Sequence, residues 1–270
     1  MSRIAARFAT LKAQGRKALV PFITAGDPSL EATMPVMHAL VAAGADVIEI
    51  GVPFSDPMAD GATIQHSSER ALARGADMDY VFETVRQFRE DNQDTPVVLM
   101  GYLNPVEIRG PEAYAQQAVA AGIDGALLVD LPPEEALEYR EAFDRHGLAL
   151  ILLAAPTTSA ERMQRLLALA TGYLYYVTYA GVTGGDHLDT GAAGERLRAI
   201  RALDKVPVVA GFGIKDAASA AAMAVHADGV VVGSALVAAM ADALDPADAA
   251  RNAAAFLLPL REALDRLPQA

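Results

Sequence analysis

The stretch EIGVPFSDPMADG, residues 49–61, carries the carboxylates best placed to do chemistry in this chain. Glu49 lies inside the apolar run ADVIEIGV, where a burying strand has no packing use for a charge. Burying an unpaired carboxylate is costly, so the residue asks for a function. Apolar neighbours disfavour the ionised form and raise the pKa, which turns a glutamate into a general acid near neutral pH. Asp60 follows on the next loop. Alone it reads as a solvated loop acid. Paired with Glu49 over one mouth, it becomes an anionic hydrogen-bond acceptor beside an acid–base group. Pro53, Asp56 and Pro57 make the loop between them stiffer and more acidic than a plain connection requires, and Asp56 is equally suited to cap or brace it.

A second chemistry is written in glycines. AGVTGG (180–185), GFGIKD (211–216) and VGSAL (232–236) each follow a late β-type run. Main-chain N–H groups at a helix start bind anions without lysine or arginine, and glycine lets the oxygens approach. Turn and cap glycines are the plain alternative. Three such loops in sequence favour phosphate, with a short helix starting at Gly233-Ser234.

These residues need elements to hold them. Eight β-type runs recur at 18–26, 46–52, 96–102, 124–131, 148–156, 173–177, 206–213 and 228–235, separated by Ala-rich segments of helical period. Several of these segments stop at a glycine, as at Gly44, Gly122 and Gly147. The gap between the second and third runs predicts two helices, 62–74 and 78–92. The amino terminus predicts an extra amphipathic helix with Ile4, Phe8 and Leu11 on one stripe. No linker divides the 270 residues, so one domain over 1–270 is expected. Eight strand–helix units over about 250 residues is the arithmetic of a closed (β/α)8 barrel. A doubly wound open sheet is the competing fold.

Side chains alternate along a strand. With Ile48 and Ile50 facing the helices, Val47, Glu49 and Gly51 face the barrel interior near its active-site rim. The same parity places Phe22, Met100, Tyr102, Leu127, Val129, Leu153 and Tyr175 inward, forming a flat apolar slot with one carboxylate in it. The plain alternative is that these residues are upper core layers.

Composition removes several classes. A net charge of −12 without a basic stripe disfavours nucleic acid. No cysteine is present, so thiolate chemistry and disulfides are out, which fits a reducing compartment. The longest apolar stretch is too short to span a bilayer, and a cytoplasmic protein is expected. None of the five histidines falls on an inward strand position, so no metal site is expected. No lysine does either, which disfavours a Schiff-base aldolase. Acid–base chemistry on a phosphorylated, flat aromatic substrate remains.

The motifs PFITAGDP (21–28), IEIGVPFSDPMADG (48–61), APTT (155–158), AGVTG (180–184), GFGI (211–214) and GSALV (233–237) together resemble the tryptophan synthase alpha chain family, in consistent order from end to end. The resemblance implies a lyase that cleaves indole-3-glycerol phosphate to indole and glyceraldehyde 3-phosphate by a retro-aldol route. It implies Glu49 as the acid–base group and Asp60 as acceptor of the indole N–H. Phe22, Met100, Leu127, Val129, Leu153 and Phe212 are then expected around the indole, with Tyr175 lining the site and Thr183 bonding Asp60 on loop closure. Gly184, Gly213, Gly233 and Ser234 match phosphate contacts. The family works as an α2β2 heterotetramer whose beta subunit carries pyridoxal phosphate, with no cofactor in this chain. Pro53, Asp56 and Pro57 are similar to the surface that meets that partner. Two positions depart from the family pattern: Tyr179 stands for an arginine and Ala62 for a proline. Two competing functions are another phosphate-barrel isomerase or epimerase, and a ligand-binding barrel that mainly activates a partner.

Overall fold

Each of the eight apolar runs forms one strand of a closed parallel barrel in the computed structural model, which describes residues 2–178, 190–203, 205–211 and 213–268. The strands are β1 (Ala18–Thr24), β2 (Ile48–Gly51), β3 (Val97–Gly101), β4 (Gly125–Leu128), β5 (Ala149–Ala154), β6 (Leu174–Val177), β7 (Val208–Gly211) and β8 (Gly229–Val232). They pair in sequence order, and β8 closes on β1 with Val231 opposite Val20. The described α-helices begin with α1 (Arg3–Ala13), α2 (Thr33–Ala42), α3 (Ala62–Ala73), α4 (Met78–Asp91), α5 (Leu103–Arg109) and α6 (Pro111–Ala120). They continue with α7 (Ala136–His146), α8 (Ala160–Leu169), α9 (Thr190–Arg201), α10 (Ala217–Ala224), α11 (Ser234–Met240) and α12 (Pro246–Asp265). The two helices expected between β2 and β3 are α3 and α4. Ala62 is the first residue of α3, a position proline also suits because its N–H has no helical partner.

Strand parity separates two apolar layers. Ile48, Ile50, Leu99, Leu128 and Tyr176 pack outward against the helices. Val20, Phe22, Val47, Leu127, Tyr175 and Val231 fill the interior. Ile4, Phe8 and Leu11 of α1 join that interior cluster, so the amino-terminal helix closes the lower end of the barrel.

A repeated device ties that lower end. A side chain just ahead of each even strand accepts a main-chain N–H from the first or second residue of the preceding odd strand. Asp46 takes Leu19 N–H at 2.8 Å, Asp124 takes Val97 N–H at 2.9 Å, Thr171 takes Leu150 N–H at 2.8 Å and Asp228 takes Val208 N–H at 2.9 Å. In each case the main chain returns the bond, as from Asp46 N–H to Leu19 O at 2.8 Å. Arginines neutralise the three aspartates. Arg7 and Arg261 hold Asp46, Arg3 and Arg89 hold Asp124, and Arg201 holds Asp228. Breaking a buried pair of this kind costs about 3–5 kcal/mol, because the partner charge is left stranded.

Candidate active site

Glu49 is the second residue of β2, in register with Phe22 of β1 and Val98 of β3, and its side chain points into the barrel as parity predicts. It is fully buried. Tyr173, just ahead of β6, donates its hydroxyl to Glu49 Oε1 at 2.5 Å. Glu49 Oε2 has no hydrogen-bond partner among the described residues. Burial pushes the carboxyl up to about 7, and the Tyr173 bond offsets only part of that. The shift keeps its proton in place far into the pH range where a solvated glutamate is ionised.

Asp60 stands above, on the loop between β2 and α3. Its Oδ2 accepts the Tyr102 hydroxyl at 3.0 Å, and burial again raises its pKa. Gln65 of α3 donates to the main-chain oxygen of Asp60 at 2.8 Å and fixes the loop from the helix side. A narrow cleft opens here, lined by Phe22, Gly51, Asp60, Met100, Tyr102 and Val129 among others. Two glycines make room for the rings. A side chain at Gly51 would meet the Phe22 ring at 2.5 Å, and one at Gly211 would meet the Tyr175 hydroxyl at 2.0 Å. Tyr175 is buried beside both carboxylates, whose charges add to burial in holding its phenol protonated. Leu127 and Leu153 belong to the apolar wall below the cleft. Glu49 does not line the cleft; it is turned beneath it toward Tyr173.

At the rim after β8, Gly233 caps α11 without a side-chain bond, and the exposed Ser234 opens that helix. The first-turn N–H groups of a helix have no intrahelical partners, so they are available to an anion there. Gly213, after β7, takes φ +75°, a turn that suits glycine. Thr183, Gly184 and Phe212, and the substituted Tyr179, lie outside the described residues. On the strand-2 loop Pro53 is buried, while Asp56 is exposed and accepts the Ser55 hydroxyl at 2.5 Å, so it braces the turn.

Tyr173 escaped the sequence reading. The signal was present, because Tyr173 opens the β-type run 173–177 and shares the inward parity of Tyr175, but the inward set was drawn from the rim end of each strand alone. The buried Lys17 sits at the opposite end, donating to Ala227 O at 2.8 Å. Among the described residues, no group of three or more His, Asp or Glu side chains is arranged to hold a metal ion, and no helix is long and apolar enough to cross a membrane.

A closed (β/α)8 barrel with a cleft at its strand ends and a buried glutamate of raised pKa beneath it defines a class, the (β/α)8-barrel enzymes. A family profile described as tryptophan synthase alpha chain matches residues 8–264. The tryptophan synthase alpha chain of Xanthomonas oryzae pv. oryzae (strain MAFF 311018) is 69% identical over 267 residues, covering 98% of this chain and 100% of the relative. That of Xylella fastidiosa (strain 9a5c) is 68% identical, covering 98% and 99%. The solved tryptophan synthase subunit alpha of Legionella pneumophila str. Paris superposes with a TM-score of 0.90 at 46% identity, covering 99% of this chain and 100% of that one. A chain from the tryptophan synthase a2b2 complex of Pyrococcus furiosus gives 0.83 at 36% identity, covering 91% and 98%. The chain belongs to the tryptophan synthase alpha chain family. The reaction of that family, a step of tryptophan biosynthesis, is the cleavage of indole-3-glycerol phosphate to indole and glyceraldehyde 3-phosphate.

Proposed function

We propose that Glu49 and Asp60 carry this cleavage by acid–base chemistry alone. The carbon–carbon bond breaks when the indole ring accepts its electrons. Protonation of the ring carbon that bears the glycerol chain makes that possible. Glu49 in its protonated form gives that proton. As carboxylate it then takes the proton of the adjacent hydroxyl, so the carbonyl of the aldehyde forms as the bond breaks. Protons balance over the cycle and Glu49 ends as it began. Asp60 accepts the indole N–H and stabilises the positive charge that develops on the protonated ring.

One observation carries the reading. Glu49 is a fully buried carboxyl whose pKa lies at about 7, with one oxygen on Tyr173 and the other without a partner among the described residues. A group so poised can give and take a proton at neutral pH. Because it lies beneath the cleft, it must turn from Tyr173 toward the substrate to act. The indole fits between Phe22, Met100, Leu127, Val129 and Leu153, beside Tyr175. In this reading the phosphate meets the Gly213 turn and the Gly233-Ser234 helix start; Gly184, Thr183 and Phe212, outside the described residues, keep the roles the resemblance implies.

The bond scission needs proton transfers and charge stabilisation, which side chains supply, so we assign no cofactor to this chain. We further propose a beta subunit as its partner in an α2β2 assembly, with pyridoxal phosphate on that subunit. The support is the kinship to a chain from such a complex and an exposed apolar face beside the strand-2 loop. Met58 is 85% exposed and Ile108 81% exposed, and Ile108 shares a groove with Phe54, Asn104 and Pro105. Pro53, Asp56 and Pro57 shape the loop beside that groove. The reading places the protein in the cytoplasm, where this biosynthetic chemistry runs.

Indole release from indole-3-glycerol phosphate tests the reading. A slow rate for the chain alone, rising sharply with the beta subunit, is expected. No turnover under either condition overturns it.

A further inference from the structure

We propose that Tyr102 is the positioning residue for Asp60, spanning the strand-2 loop from its inner carboxylate to its outer face. The proposal rests on the cleavage reading above and goes beyond a wall contact for this tyrosine.

Tyr102 follows β3 directly and is 5% exposed. Its phenol oxygen accepts the Ala59 N–H at 3.0 Å and donates its only proton to Asp60 Oδ2 at 3.0 Å. A hydroxyl used this way is committed to the loop, so its presence is not explained by contact with an apolar ring. One atom thus fixes the main chain before Asp60 and the carboxylate of Asp60 together.

The face of the ring is held as specifically as its hydroxyl. Phe54 stacks on Tyr102 with centroids 5.1 Å apart and planes 28° apart. Phe54 also lines the outward groove that contains Asn104, Pro105 and Ile108, whereas Tyr102 lines the cleft. The two stacked rings therefore join the outer surface to the inner site. Tyr102 is itself well held. The next amide, Leu103 N–H, donates to Asp130 Oδ1 at 2.8 Å at the start of α5. A rigid tyrosine that grips a loop at two points makes the Asp60 position follow that of the loop.

The charged and titratable groups around Asp60 are few. Glu49 lies below, Tyr175 is beside it on β6, and Tyr102 alone among the described side chains bonds the carboxylate. The Tyr102 bond favours the ionised form of Asp60 against the effect of burial.

The test is Tyr102→Phe in the full chain, which keeps the ring and its stacking. The expected result is a fall in kcat of about tenfold or more, with KM for indole-3-glycerol phosphate within about twofold of wild type. In an Asp60→Asn background the same change should cost less than about twofold, because a residue that acts through Asp60 has nothing left to position. Carbon-13 NMR of the Asp60 carboxyl in the free protein should show its pKa raised by Tyr102→Phe. Phe54→Leu should lower kcat in the same direction but less, by disturbing the stack alone. A rise in KM with unchanged kcat, a full cost in the Asp60→Asn background, or an unmoved Asp60 titration would each overturn the proposal. A wild-type chain that releases no indole with or without the beta subunit would instead remove the reaction reading itself.

Discussion

The barrel treats its acids differently at its two ends. At the amino-terminal end, Asp46 and Asp124 are buried, but each meets two arginines and a strand-opening amide at 2.5 to 3.0 Å. At the carboxyl-terminal end, Glu49 and Asp60 are held by tyrosine hydroxyls, and no cation is bonded to either among the described residues. The same functional group thus does two jobs. Matched with guanidinium and main-chain N–H, a carboxylate is a tie between strands. Left with a neutral donor in an apolar wall, it keeps a proton within reach of neutral pH. The lower end stores stability and the upper end gives some of it up for reactivity.

Four measurements press on that contrast. The largest effect belongs to Glu49→Gln, which should lower indole formation by about a thousandfold or more while leaving affinity for the phosphate ligand intact. Turnover close to wild type in that variant would move Glu49 out of the upper-end role. Next is Asp46→Ala. It takes from Arg261, only 7% exposed along its side chain, one of its two carboxylate partners, leaving Asp265 at 2.6 Å, and removes the acceptor of Leu19 N–H. Urea unfolding should show a loss of about 3 kcal/mol, the low end for breaking a buried pair because Asp265 still meets Arg261, with kcat per folded molecule unchanged. A variant that kept its stability but lost turnover would erase the distinction between the ends.

A third effect follows from the sign of the Glu49 shift. Its folded pKa of about 7 stands above the 4.5 usual for a glutamate. The native state therefore holds the proton more tightly than the unfolded chain. Stability contributed by this group is complete below about pH 4.5 and falls as pH rises through 7, by up to about 3 kcal/mol. Glu49→Gln should remove that slope. Comparing urea midpoints of wild type and variant at pH 5 and pH 8 reads it directly: the variant gains on wild type at the higher pH. A difference that does not change with pH would mean the carboxyl is not held protonated, and the contrast between the ends would narrow.

The upper end was the more legible in sequence. A lone glutamate inside ADVIEIGV stands out because apolar burial has no use for it, and strand parity then placed it correctly. Parity also set Phe22, Met100, Leu127, Val129, Leu153 and Tyr175 toward the interior, since a period of two survives in short strands. The aspartates of the lower end were overlooked. Asp46, Asp124 and Asp228 open the β-type runs 46–52, 124–131 and 228–235, and nothing in a run's first residue tells which amide its side chain accepts. Their arginines arrive from as far away as α1 and α12, and local pattern does not encode such distances. Tyr173 was missed because its bond to Glu49 joins residues far apart in sequence, and the turn of Glu49 toward it is a side-chain rotation, which parity cannot supply. The fold followed from the count of strand–helix units because each unit is local, whereas the ties between units are not.

Thr171 gives the smallest and sharpest comparison. It occupies the fourth lower-end position, accepts Leu150 N–H at 2.8 Å and returns its own N–H to Leu150 O at 2.8 Å, but it brings no charge. Replacing it with valine keeps the branched shape and leaves one strand-opening amide without its acceptor. The expected loss is about 1–2 kcal/mol, the cost of an unsatisfied buried donor, with no stranded ion to enlarge it. Asp228→Ala should fall between this and Asp46→Ala. Its partner Arg201 is 31% exposed along the side chain, so solvent can take up part of the released charge. Urea titrations of the three variants therefore order the ties by how deeply their arginines are buried. Equal losses at Thr171 and Asp46 would show that the main-chain bond alone sets the strength of the lower end, and that the arginines there contribute no more to it than water would.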